Sequence, residues 1–150
     1  MLEVEILGVS EGPNHPVVLL RHEDRVLPIV VGVPEAQAIQ FGITGEKLGR
    51  PMTHDLLGNI LAGLRADLKS VSIYKLENDT FYAHLNIEQK NSQGEVDQIL
   101  RIDSRPSDGI AIAVRHACPI LVAREVMDTA AQDVTIPDPD EDPDIGDSRS

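Results

Sequence analysis

The chain has 150 residues, 41% of them hydrophobic, and a formal net charge of −12. This length fits one domain with a sizeable core, and a single cysteine, Cys118, excludes an intrachain disulfide. No apolar run approaches the ~20 residues of a membrane span, and the first residues have no signal-peptide pattern, so we expect a cytoplasmic protein. The acidic charge, without a basic stripe or an aromatic platform, would repel nucleic acid at long range unless Mg²⁺ or a local arginine cluster overrides it.

The first half of the chain is predicted to contain three strands and two helices. Apolar patterning predicts strands over residues 2–9, 17–20 and 26–31. Pro34 suits the first turn of a helix that ends near Gly42. Thr53 is placed to cap a second helix, whose apolar stripe follows a clear helical period. That stripe consists of Leu56, Leu57, Ile60, Leu61 and Leu64.

The second half is predicted to repeat the change from strands to helix. Strands are expected over residues 69–76, 80–88 and 96–103. The helix from Ser107 to about His116 is apolar on nearly every face, which predicts that it is the central buried helix. A short strand over 119–123 and a helix over 125–132 complete the predicted elements.

The two halves also resemble each other when one is displaced by 73 positions. The matched pairs are Leu27 with Leu100, Ile29 with Ile102, Glu35 with Asp108, Ala38 with Ala111, and Ile39 with Ile112. We therefore predict an α+β fold, with a mixed sheet built from two related β-β-α units, over residues 1–132. Residues 133–150 are rich in Asp and Pro and are predicted to be a disordered acidic tail.

Two polar turns that share one residue order precede the second and third helices. The first reads Arg50-Pro51-Met52-Thr53-His54-Asp55, and the second reads Asp103-Ser104-Arg105-Pro106-Ser107-Asp108. Proline is favoured at the start of a helix, and Ser or Asp can accept hydrogen bonds from the free N–H groups there. Both polar clusters are therefore expected at helix N-termini, where backbone donors and the positive end of the dipole point outward.

These turns belong to four motifs that resemble the bifunctional nuclease domain family. The motifs are Leu27–Gly32 with Glu35–Ile39, Arg50–Leu56, Ile102–Ala111 and Pro119–Val122, and the resemblance extends from residue 1 to about residue 131. The resemblance implies nuclease activity on DNA and RNA. Since one fold can host many functions, it indicates the fold more directly than the chemistry.

Phosphodiester hydrolysis needs an acid or base, a charge that stabilises phosphate and, in many enzymes, a metal ion. A convergence of the helix N-termini in one cleft would provide these groups, with Mg²⁺ or Mn²⁺ held by oxygen ligands. The candidate catalytic residues are His54, Asp55, Asp103 and Asp108. The candidate substrate-binding residues are Arg50, Thr53, Arg105 and Ser107. The candidate metal ligands are Asp103, Asp108 and Glu35.

Other interpretations of the same residues stay open. The turns can be closed networks of caps and ion pairs, in which Thr53 and Ser107 are caps and not nucleophiles. Arg105, between two aspartates, is then expected to be more structural than Arg50. The domain can also be a non-catalytic module whose cleft binds an anion or a partner peptide, or the Arg-Pro elements can hold a homo-oligomer together.

Overall fold

The computed structural model describes residues 1–134, which form eight strands and four helices. The strands are β1 (Leu2–Glu11), β2 (Pro16–His22), β3 (Arg25–Val30), β4 (Ala66–Glu77), β5 (Thr80–Lys90), β6 (Val96–Ser104), β7 (Ile120–Val122) and β8 (Gln132–Asp133). The helices are α1 (Val33–Thr44), α2 (Thr53–Gly63), α3 (Pro106–His116) and α4 (Arg124–Ala130). In this part of the chain, every helix is too short or too polar to cross a membrane.

All eight strands form one sheet in the order β6-β5-β4-β7-β1-β2-β3-β8. Neighbouring strands are antiparallel except for β4 and β7, which are parallel, so the sheet is mixed. Each half of the chain supplies an antiparallel meander of three strands that leads into a helix, and β7 lies between the two meanders. The predicted α+β class is confirmed.

The displacement of 73 positions matches the observed elements. It moves residues 25–30 of β3 onto residues 98–103 of β6, and residues 33–44 of α1 onto residues 106–117, where α3 lies. Each unit has three strands before its helix, one more than the predicted β-β-α pattern. The order of elements is thus repeated, whereas descent of the two halves from one ancestral unit stays a prediction.

Helix α3 is the central buried helix, as its apolar sequence predicted. Its buried residues are Pro106, Ser107, Gly109, Ile110, Ala111, Ile112 and Ala113. Helix α1 packs closely beside it because Gly42 has no side chain. A Cβ at Gly42 would lie 2.8 Å from Nη1 of Arg115 and would collide with Val114. The absence of a side chain at Gly42 therefore leaves room for the Arg115 side chain between the two closely packed helices.

Helix α2 has the opposite orientation to the one its pattern suggests. An apolar stripe at helical spacing ordinarily faces the core. Here Leu61 packs against the core, whereas four residues of the stripe are 36–55% exposed. Those four are Leu56, Leu57, Ile60 and Leu64. No residue of α2 is fully buried, so polar contacts must hold this helix against α3.

The last described residues lie along β3. The predicted final helix ends earlier than expected, at Ala130, because the chain then extends to form β8. Asp133 is paired with Arg25 in this strand, although it was assigned to the tail. The rest of the predicted tail, residues 135–150, lies outside the described residues.

Candidate functional site

One arginine, Arg115 at the end of α3, connects the three central helices. Its Nε donates to Oδ1 of Asp55 in α2 at 2.7 Å. Its Nη1 donates to the carbonyl oxygens of Ala38 in α1, at 2.9 Å, and of Ala111 in α3, at 2.7 Å. The side chain is largely buried, so these charge-assisted hydrogen bonds take the place of water. Arg115 therefore fixes α2 on a surface where few apolar contacts do so.

Asp55 also caps the start of α2. Its Oδ2 accepts a hydrogen bond from the backbone N–H of Met52 at 2.9 Å, which satisfies one of the free donors of the first turn. The hydrogen bond from Arg115, followed by the one from Met52, holds the pKa of Asp55 below its ordinary value. Asp55 was predicted as a catalytic residue, and the structure places it in this anchor between α2 and α3.

The lowered pKa of Asp55 leads to a prediction for acid stability. A carboxylate with a depressed folded-state pKa stabilises the fold above its unfolded pKa, about 3.9, and this contribution is lost as the pH falls through the folded value. Between about pH 5 and pH 3, the free energy of unfolding should therefore fall more steeply for the wild type than for Asp55→Asn. Urea titrations at several pH values measure both slopes. Parallel slopes would contradict the assigned role of Asp55.

His54, the residue before Asp55, pairs with Asp108 of α3. The distance from His54 Nε2 to Asp108 Oδ1 is 2.9 Å, and the His54 side chain is 12% exposed. Asp108 lies in the first turn of α3, where the helix dipole favours a carboxylate. This hydrogen bond thus joins the two Arg-Pro turns through residues that are 54 positions apart in the chain. A histidine held by a carboxylate at two helix N-termini can transfer protons next to a bound anion.

These residues line a cleft of about 230 Å³ between α1, α2 and α3. Predicted site residues on its wall are Glu35, Thr53, His54 and Asp108, and Arg115 also lines it. Arg50 and Asp55 line an adjoining hollow of about 490 Å³ that shares Arg115 with the cleft. The expected convergence of the helix N-termini is therefore present.

The two arginines of the motifs are both exposed. Arg105 is 67% exposed, and its Nη1 lies 3.5 Å from Oε1 of Glu35. Within residues 1–134 it does not pair with Asp103 or Asp108, and the expectation that Arg105 is more structural than Arg50 stays a prediction. Arg50 is exposed as well, as the sequence suggested. The arginine that is largely buried and joins α3 to α1 and α2 is Arg115.

Two predicted residues lie away from the cleft. Asp103 is paired with His84 of β5, whereas its neighbours Ile102 and Ser104 are paired with Leu85 and Ala83, which contribute to the core. Because successive side chains of a strand point to opposite faces, Asp103 projects from the sheet face away from α3. Ser107 is buried and does not line the cleft. Within residues 1–134, no three side chains of His, Cys, Asp or Glu converge as a metal site.

Sequence reasoning missed Arg115. A basic residue in the last turn of a helix is common, because it interacts favourably with the dipole, and this explanation requires no further role. The available signal was its place in the Val114-Arg115-His116 segment, at the end of a helix that is otherwise almost entirely apolar. A charge there must find partners on neighbouring elements.

Comparison with known proteins places the chain in a family. The model of the bifunctional nuclease domain matches residues 17–135. An uncharacterized protein of Mycobacterium tuberculosis is 40% identical over 142 residues, which cover 92% of this chain and 80% of that protein. Bifunctional nuclease 1 of Arabidopsis thaliana is 27% identical over 72% of this chain and 33% of its own length, and bifunctional nuclease 2 of Oryza sativa subsp. japonica is 28% identical over 79% and 37%. The chain belongs to the bifunctional nuclease domain family, as its four motifs indicated.

Proposed function

We propose that the cleft between α1, α2 and α3 hydrolyses phosphodiester bonds in nucleic acid. The observation that supports this proposal is the hydrogen bond between His54 and Asp108 on the wall of a cleft where α2 and α3 begin. The plant relatives named bifunctional nuclease support the same reaction class, although this chain spans only about a third of their length.

His54 is the proposed acid or base. Asp108 holds its Nε2, which leaves Nδ1 for an attacking water or for the leaving oxygen. The carboxylate fixes the orientation of the ring and stabilises the imidazolium that forms when the ring takes up a proton, as in other histidine–carboxylate pairs. The proton transfer is thus assigned to one atom of one residue.

Two exposed arginines near the cleft are the proposed phosphate contacts. Arg105 lies beside Glu35 at the start of α1, and Arg50 lies on the adjoining hollow. A guanidinium can bind two phosphate oxygens at once, and its exposure lets it exchange water or a carboxylate for an anion. Because the chain as a whole is acidic, binding should depend on these few cations and should weaken strongly with salt.

A divalent metal ion is part of the proposal. Glu35 and Asp108 are the carboxylates that line the cleft, and Mg²⁺ is commonly held by one or two carboxylates together with substrate phosphates and water. Bound there, Mg²⁺ or Mn²⁺ would polarise phosphoryl oxygens. Asp103 is left out of this set because it projects from the other face of the sheet.

The experiment compares His54→Gln with the wild type on single-stranded RNA and DNA. With Mg²⁺ or Mn²⁺ present, we expect His54→Gln to lower the rate by about 10²–10⁴-fold, the usual contribution of a general acid or base. EDTA should abolish the wild-type activity. The matched control is His15→Gln, since His15 is exposed in the loop between β1 and β2 and does not line the cleft. Equal activity in all three proteins would point to a contaminating nuclease and would refute the proposal.

A further inference from the structure

We infer that the outward face of α2 and the edge strand β6 together bind a second copy of this chain. We call the two parts the α2–β6 surface, and its exposed apolar residues are Leu56, Leu57 and Ile60 of α2, Leu64 at the C-cap of α2, and Ile99 and Ile102 of β6. Ile99 is 79% exposed. By strand alternation Ile102 lies on the sheet face that carries α2 and Ile99 lies on the opposite face, so a strand that pairs with the β6 edge lies beside both residues. Exposed apolar residues grouped in this way commonly mark an interaction site.

The two parts of this surface adjoin at the end of α2. The Nε2 of Gln89 in β5 donates to the carbonyl oxygen of Leu64 at 3.1 Å, and Gln89 is paired with Gln98 of β6. The backbone N–H of Lys90 likewise donates to the carbonyl oxygen of Arg65 at 2.9 Å. The C-terminal end of α2 therefore lies one strand away from β6, so one partner can cover both.

The inverted orientation of α2 indicates that its outer face is covered by a partner. The inner face carries His54, Asp55 and Gly58, and a Cβ at Gly58 would lie 2.9 Å from Nε2 of His116. This polar and glycine-containing face matches α3, where Asp108 and Arg115 receive it. A helix with this pattern can bury its apolar stripe only against another molecule, or against residues beyond 134.

The sequence of β6 favours a second copy as that molecule. Among residues 1–134, β6 is paired on one side only, so the N–H and C=O groups of its other edge can pair with another strand. In an antiparallel pair of two β6 strands centred on Ile99, Asp97 of each copy lies opposite Arg101 of the other. Val96 then lies opposite Ile102. The interface is self-complementary, as two-fold symmetry requires.

Other registers are less favourable. A pair centred on Leu100 sets Asp97 opposite Asp103, and like charges directly opposite each other destabilise a sheet. Within the described residues, neither Asp97 nor Arg101 has an ion-pair partner in its own chain. The pairing with β5 is irregular at Asp97, and the long side chain of Arg101 can span the resulting offset.

The experiment measures the oligomeric state of the full chain by sedimentation from about 1 to about 100 μM, the range of moderate dimer affinities. We expect a wild-type dimer. Ile99→Lys should shift the protein to monomer, while Leu7→Lys should remain dimeric, since Leu7 is similarly apolar and exposed but lies on β1 in the interior of the sheet. A monomeric wild type throughout this range would overturn the inference and assign the surface to a different partner.

Charge reversal tests the register, and it also separates loss of the dimer from loss of the fold. Arg101→Asp and Asp97→Arg should each raise the dimer dissociation constant at least about tenfold, because two like-charge pairs replace two opposite-charge pairs. The double variant restores both pairs and should recover most of the wild-type affinity. Failure of the double variant to recover, with circular dichroism unchanged, would refute the Ile99-centred pairing.

Discussion

Replacing Arg115 with alanine is expected to lower the free energy of unfolding by about 2–4 kcal/mol, the range for losing charge-assisted hydrogen bonds and unpairing a partly buried carboxylate. Arg115→Ala removes the hydrogen bonds from α3 to Asp55 of α2 and to the carbonyl of Ala38 in α1, together with one bond inside α3. Asp55 and the carbonyl of Ala38 would lose their partner. Since α2 has few apolar contacts to replace these bonds, the loss should be concentrated in this helix.

The matched control for this prediction is Arg124→Ala. Arg124 is exposed at the start of α4 and has no ion pair within residues 1–134, so its replacement should change stability by less than about 0.5 kcal/mol. Urea unfolding gives both free energies, and hydrogen exchange of the α2 amides shows where the loss occurs. If Arg115→Ala unfolds at the same urea concentration as Arg124→Ala, Arg115 does not hold the helices together.

Replacing Asp108 with asparagine is expected to lower nuclease activity by at least about 100-fold, the lower end of what a histidine–carboxylate pair contributes. Asparagine can still hydrogen-bond to Nε2 of His54, but it carries no charge to stabilise the imidazolium. The geometry of the cleft should therefore be kept while its chemistry is lost. Initial rates on single-stranded RNA measure the effect, and unchanged melting temperatures show that the fold is intact.

The control for this second prediction is Asp103→Asn. Asp103 belongs to the same sequence motif as Asp108, yet it projects from the opposite face of the sheet. Its replacement should leave the rate within about twofold of the wild type, since surface changes away from a site have small effects. An equal loss in both variants would show that the polar turn acts as a unit and that the position of Asp103 does not exclude it from the reaction.

Most of the sheet and the buried helix could be predicted from the sequence because their apolar patterns are compatible with only one kind of element and one buried side. At the start of β1, Leu2, Val4 and Ile6 alternate with Glu3 and Glu5, which fixes the side that faces inward. A helix that is apolar all round can only be buried. The apolar stripe on α2 did not predict which side of the helix faces the core. Its period specified a helix but not the direction of its apolar face, which is decided by the polar partners Asp108 and Arg115 on α3.

Part of the candidate site could also be predicted from the sequence. His54 and Asp108 each follow an Arg-Pro pair at a helix start, so their motifs indicated a shared location. Asp103 was grouped with Asp108 because the two are close in the sequence, whereas strand alternation separates them in space. Arg115 could not be identified without the packing of α1 against α3, which depends on contacts between residues far apart in the chain.

The position of β7 has a consequence for biosynthesis. Leu2 and Val4 of β1 pair with Val122 and Ile120, so β1 must wait until the much later strand β7 has been synthesised. At about 5–20 residues per second, roughly 6–24 s pass between the two on the ribosome. During this interval the first meander has an unpaired edge at β1, where a nascent chain can bind chaperones or pair wrongly. The two halves can join through β7 only after residue 122 has left the exit tunnel.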